Sequence, residues 1–201
     1  MTLAPAEERL LRLAVCFIDA NWDELRTLRR AAPKGEPDRA WREVALQAQL
    51  FAGFPRAIAG YTALAEEGGL GELKEGEARL EDDQPQRGAA LFERIYSTGA
   101  DKVRSELAKY HPDLEHFIER HAYGRILSRP GLSPRLRELT IIVSLAALGH
   151  ERQIASHARG AIRCGAEVHE VEAALVAVED LLGAKRMQHA RRIVERFARQ
   201  D

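Results

Sequence analysis

The chain has 201 residues, 45% of them hydrophobic and 30% charged, with a formal net charge of −1. That balance predicts an ordinary globular protein of one large domain or one and a half, and it offers no concentrated basic face for nucleic acid. No run reaches the roughly 18 apolar residues that a membrane helix needs, so neither a membrane nor nucleic acid is expected as a partner.

Ala, Leu, Glu and Arg, all strong helix formers, dominate the chain, and alternating β patterns are almost absent, which predicts an all-α fold. Leu10, Leu13, Ala14, Phe17 and Ile18 make one helical stripe over 7–20. A short helix over 23–32 should end at Pro33-Lys34-Gly35. Asp38 can cap a helix over 39–53, and Pro55 suits the first turn of the next, 56–67. The glycine-rich, acidic stretch 68–86 reads as a linker or one surface loop. Helices are expected again over 87–97, 101–110 and 112–123, with His111-Pro112 breaking the run.

After the turn at Arg129-Pro130-Gly131, Ser133 is a good N-cap and Pro134 a good first residue. The helix to Leu148 has a nearly continuous apolar middle, so it should be buried on most sides. Gly149 ends it; 151–164, 167–182 and 184–199 follow, closed by Gly165 and Gly183. A faint repeat links Gly53 with Gly183, 130 residues on, and pairs Leu46 with Val176, Ala48 with Val178 and Phe51 with Leu181. This predicts a second copy of one helical hairpin.

The leading MTLAPAEERLLRLAVC is a poor signal peptide, and the two cysteines, Cys16 and Cys164, make no disulfide framework; a reducing cytoplasm is the expected compartment. Neither has a Cys-x-x-Cys neighbour.

Glu138 lies among Leu136, Leu139, Ile141 and Ile142, so its carboxyl sits at a rim or is buried with a partner, where it would suit a proton donor. His150, Gln153 and His157 share roughly one helix face. The break at Gly149 folds that helix back on the one carrying Glu138, which brings Glu138 toward His157. Arg137, Arg152 and Arg163 could supply charge for an anionic ligand, and His121 and Tyr123 could face the same point. Two histidines seven apart, with no third ligand, make a weak zinc signal, and no metal is expected.

From Gln86 to Phe197, and most specifically from Arg129 to Glu172, the chain resembles the carboxymuconolactone decarboxylase family. The resemblance lies in the Arg-Pro-Gly-Leu turn, the following Arg-Glu-Leu, the Leu-Ala-Ala-Leu-Gly helix end and the His-Ala-x-Gly-Ala hairpin. Residues Arg42 to Ile58 also look like the family's later hairpin. The resemblance implies an alkylhydroperoxidase D-like helical bundle that forms homo-oligomers. One branch decarboxylates γ-carboxymuconolactone without a cofactor. The other is a thiol peroxidase whose two cysteines would fall here on His150 and Gln153, so a disulfide cycle is disfavoured.

The resulting expectation is a half-module over 1–67, a linker over 68–86 and a carboxymuconolactone decarboxylase-like domain over 87–201. Its function would be cofactor-free decarboxylation of a small anionic substrate in aromatic catabolism. Glu138, His157 and His150 would be catalytic, with Arg137, Arg152 and Gln153 holding substrate. The alternative is a non-enzymatic helical oligomer with a degraded site.

Overall fold

A computed structural model of the chain describes residues 3–74, 77 and 83–198, with side chains as far as 196. Part of the expected linker, 75–76 and 78–82, lies outside the described residues. Helices carry the whole fold, with no strand among the described residues. They are α1 (Pro5–Asp19), α2 (Trp22–Ala31), α3 (Asp38–Glu66), α4 (Gln84–Tyr96), α5 (Ala100–Tyr110), α6 (Pro112–His116), α7 (Pro134–Leu148), α8 (Glu151–Arg163), α9 (Val168–Val176) and α10 (Glu179–Ala198). A wide π-helical run, Phe117–Leu127, continues directly from α6 and takes in the stretch that the sequence left as a short, partly helical piece.

The centre of the molecule is α7. Ser133 caps it through the Leu136 amide, Pro134 opens it, and every residue from Leu136 to Ala147 is buried. A helix buried all round needs neighbours on all sides, and α1, α3, α8, α9 and α10 pack against it. One continuous core runs from Leu11, Phe17 and Trp41 to Leu139, Ile141 and Val171.

The repeat extends well beyond one hairpin. Helices α1 and α7 both have 15 residues, both open on proline, and both end on a left-handed residue, Ala20 (φ 55°) and Gly149 (φ 75°). After α2 and α8 come Gly35 (φ 95°) and Gly165 (φ 99°). Gly53 (φ 77°, ψ 165°) interrupts α3 as Gly183 (φ 71°, ψ 162°) interrupts α10. These angles suit glycine and cost an L side chain strain, so the sequence must keep glycine there. Three residues past each break, Arg56 donates to the Ile18 carbonyl and Arg186 to the Ala147 carbonyl, the penultimate residues of α1 and α7. The chain therefore holds two copies of one four-helix module, packed α1 against α7. The sequence placed one helix over 167–182; the structure ends α9 at Val176 and restarts at Glu179, ahead of the glycine break.

Between the modules lies a buried polar seam. Glu43 of α3 accepts from Arg129 (3.0 Å) and Arg137 (2.8 Å), and Gln47 accepts from Arg137 (3.0 Å). Buried charges persist when paired in this way.

Candidate active site

Helices α7 and α8 form an antiparallel hairpin, because the left-handed Gly149 reverses the chain at once. Glu138 comes from the second turn of α7, and His157 from two turns into α8. Their side chains meet: His157 Nδ1 lies 2.9 Å from Glu138 Oε2. Glu138 is 2% exposed and His157 9%. With Glu138 as the carboxylate, Nδ1 is the donor, and Nε2 is left as the ring atom facing away from the pair. No hydrogen-bond partner meets Nε2 among the described residues.

The closeness of the two helices rests on Gly160, one turn beyond His157. A Cβ there would come within 2.6 Å of Glu138 Oε2 and 2.8 Å of the Ile95 side chain. The glycine of the His-Ala-x-Gly-Ala motif thus makes room for the carboxylate against the α8 backbone.

Aromatic groups from outside the hairpin complete the setting. The Tyr96 ring packs edge-on to His157, with centroids 6.4 Å apart. Tyr123, from the π-helical run, donates its hydroxyl to the Tyr96 oxygen at 3.0 Å. Burial drives the Tyr123 pKa well above the ordinary tyrosine value and raises that of Tyr96. Both therefore remain hydroxyl donors at neutral pH, and with Tyr123 donating to its oxygen, the Tyr96 hydroxyl keeps its own proton to give. Helix α4 can sit this close to the π run because Gly88 faces Gly124; a Cβ on Gly88 would lie 2.7 Å from the Gly124 backbone.

The remaining residues singled out from the sequence are placed differently. His150 is the exposed residue leading into α8, and Gln153 is exposed one turn on, both on the His157 face. Arg152 is exposed but roughly 140° round the helix from His157, toward α10. Arg137 is 2% exposed, and its guanidinium is engaged with Glu43, Gln47 and the Arg129 carbonyl. Arg163 donates to the Ile95 carbonyl, and His121 meets Gln49 of α3 (3.3 Å). Glu138, His157 and Tyr123 thus gather at one place, while Arg137, Arg152 and His121 point elsewhere. Tyr96 was missed: it lies more than forty residues before Glu138 in sequence, and no spacing rule connects them. Gly160 sat visibly inside the quoted motif, but only the packing shows what it does.

The comparisons with known proteins fall on the same region. A model of the Carboxymuconolactone decarboxylase family matches residues 112–196, which span the π-helical run, the α7–α8 hairpin and most of α10. Residues 112–196, somewhat under half of the chain, are thus similar to that family. The 4-carboxymuconolactone decarboxylase of Acinetobacter baylyi is 36% identical over 66 residues, 33% of this chain and 49% of that protein. Peroxisomal protein 2 of Saccharomyces cerevisiae is 29% identical over a 161-residue alignment that covers 66% of this chain and 57% of that protein. The chain thus spans about half the length of the curated relatives it matches. Helix α4 and the first module precede the matched region, so Tyr96 reaches the site from outside it.

Proposed function

We propose that the second module carries out cofactor-free decarboxylation of a small carboxylated lactone of the γ-carboxymuconolactone type, with His157 as the reacting side chain. The observation that carries this reading is the buried Glu138–His157 hydrogen bond. It fixes the ring, sets the tautomer and leaves Nε2 free to act toward a ligand. The match to 4-carboxymuconolactone decarboxylase supports the reaction class.

Losing CO₂ breaks a C–C bond, and its electron pair must move into the lactone carbonyl to give an enolate. A donor aimed at that oxygen stabilises the charge, and a proton must then return to a carbon of the enolate. His157 Nε2 suits the first task once protonated. The sequence favoured Glu138 as the direct proton donor; its position behind His157 gives it in this reading the role of a positioning residue, with the Tyr96 hydroxyl the better-placed acid. Arg137, engaged with Glu43, is replaced in this reading as a substrate ligand by His150 and Gln153 on the rim of the same α8 face. The proposal also keeps the homo-oligomer, since Phe54 and Ile58, both 66% exposed, line one side of α3 with Tyr61, an apolar stripe suited to a second copy. Cytoplasmic location and a role in aromatic catabolism remain parts of the same proposal; among the described residues no helix is long and apolar enough to cross a membrane.

The test is loss of γ-carboxymuconolactone absorbance with release of CO₂ by the purified chain. Turnover supports the reading; none at any substrate concentration, in protein shown to be folded and oligomeric, overturns it. A second reading is a helical assembly protein without chemistry. What favours it is that neither Glu138 nor His157 lines any of five well-formed surface cavities among the described residues. A folded oligomer without turnover would favour this second reading.

A further inference from the structure

A groove of about 660 Å³ runs between α8 and α10, on the side of α8 away from His157. Arg152 and Arg159 of α8 line one wall, and Arg192 and Arg196 of α10 the other. Ala155 and Ile193 add apolar surface between them. None of the four guanidiniums has a hydrogen-bond or ion-pair acceptor among the described residues.

Many other arginines of this protein are paired. Arg9, Arg12, Arg29, Arg42, Arg104 and Arg135 each hold a carboxylate. The four are exposed, and gathered without partners they repel one another and concentrate positive potential in the groove, which an anion would relieve. The local anion does not meet the need: Glu151, at one end, lies 3.4 Å from His189. Glu106 of α5 reaches Arg152 only through space.

We propose that the α8–α10 groove binds a small organic anion carrying at least two phosphate or carboxylate groups. The guanidinium fork matches both groups in two-pronged fashion, and the arginines are spaced to take charges at two places. On α8 they are seven residues apart, about 10 Å along the axis; on α10 they are four apart, about 6 Å. The apolar strip between the walls suits a carbon skeleton joining the two anionic ends. Because the groove and the Glu138–His157 pair occupy opposite sides of α8, this inference stands apart from the decarboxylase reading.

The experiment is calorimetric titration of the full chain with inorganic pyrophosphate at low ionic strength, with succinate as a parallel ligand. Binding of either is expected, weakening as salt is raised through the physiological range. Binding by pyrophosphate alone assigns phosphate groups, and comparable binding by succinate assigns carboxylates. Arg159→Gln combined with Arg192→Gln should lower the affinity at least about tenfold while leaving the circular dichroism unchanged, since neither side chain holds another part of the fold. If that pair fails to fold, Arg152→Gln with Arg196→Gln takes its place. No binding at millimolar concentrations overturns the proposal, as does binding that the variants leave intact. Capture of an RNA oligonucleotide without any pyrophosphate binding also overturns it, by showing a surface for a macromolecule instead.

Discussion

In the second module the helix position after Arg137 is Glu138, buried against His157. In the first module the matching position of α1 is Arg9, which turns to Glu36 at the start of the α3 region, and the match for His157 is Leu28, a core residue 8% exposed. Gly160, which makes room for the carboxylate, is matched by Ala31. The backbone plan is the same, down to the pair of glycine breaks, but at these positions the first copy has core packing and a part-buried ion pair. A helical hairpin can thus keep its fold without the polar pair, because fold and site rest on different residues: the first on apolar stripes and left-handed residues, the second on two side chains and one missing Cβ.

This comparison makes predictions about what each module tolerates. The largest effect on stability belongs to the seam between them. Glu43→Gln leaves Arg129 and Arg137 without their shared anion, and should cost about 3–5 kcal/mol in chemical denaturation. A loss below about 1 kcal/mol would show the seam to be unimportant. Next come the matched core leucines. Leu139→Ala and Leu10→Ala, at 0% and 4% exposure, should each cost about 2–5 kcal/mol, and the two values should lie close together if the modules share one core. A first module that unfolds at lower denaturant, separately from the second, would break the comparison.

A smaller effect is linked to pH. The hydrogen bond from Arg135 holds the Glu170 carboxyl down at about 2, and Arg135 also holds Glu7 of the first module. A lowered carboxyl pKa stabilises the fold fully above the unfolded value of about 4.5, and that stability is lost as pH falls toward 2. With screening at this partly solvated site the contribution is about 1 kcal/mol. The melting-temperature gap between the wild type and Glu170→Gln should therefore shrink from pH 5 to pH 2; a constant gap would contradict the assignment. The smallest effect concerns the thiols. Burial pushes Cys16 up to about 12 and Cys164 to about 11, so neither should react with a thiol reagent at pH 8 in the folded protein. Replacing both with serine should leave any turnover within about twofold.

Much of the fold was legible because it rests on local signals. Proline at the first turn of α7, glycine at its end and the period of Leu10, Leu13 and Phe17 each act within a few residues, and the structure follows them closely. The Gly53–Gly183 correspondence showed the repeat, yet its full extent was hidden: Ala20 does the work of Gly149, and the α1 sequence has diverged from that of α7. In the site, the approach of Glu138 to His157 was readable because a single tight break fixes the hairpin. The direction of Arg137 was not, since spacing alone cannot tell a residue facing a ligand from one facing the Glu43 seam. Tyr96 was invisible for the same reason that tertiary contacts generally are: only the meeting of α4, α8 and the π-helical run brings it to His157.

The central claim of the proposed reading is that chemistry is centred on the second module, through His157 held by Glu138, and not on the first. It is tested most directly by measuring kcat/KM for γ-carboxymuconolactone in His157→Gln and Glu138→Gln beside Arg9→Gln, the matched change in the first module. His157→Gln and Glu138→Gln should each lower it about 10²-fold or more with the fold intact, and Arg9→Gln should leave it within about twofold. Full activity in a well-folded His157→Gln variant would contradict the account.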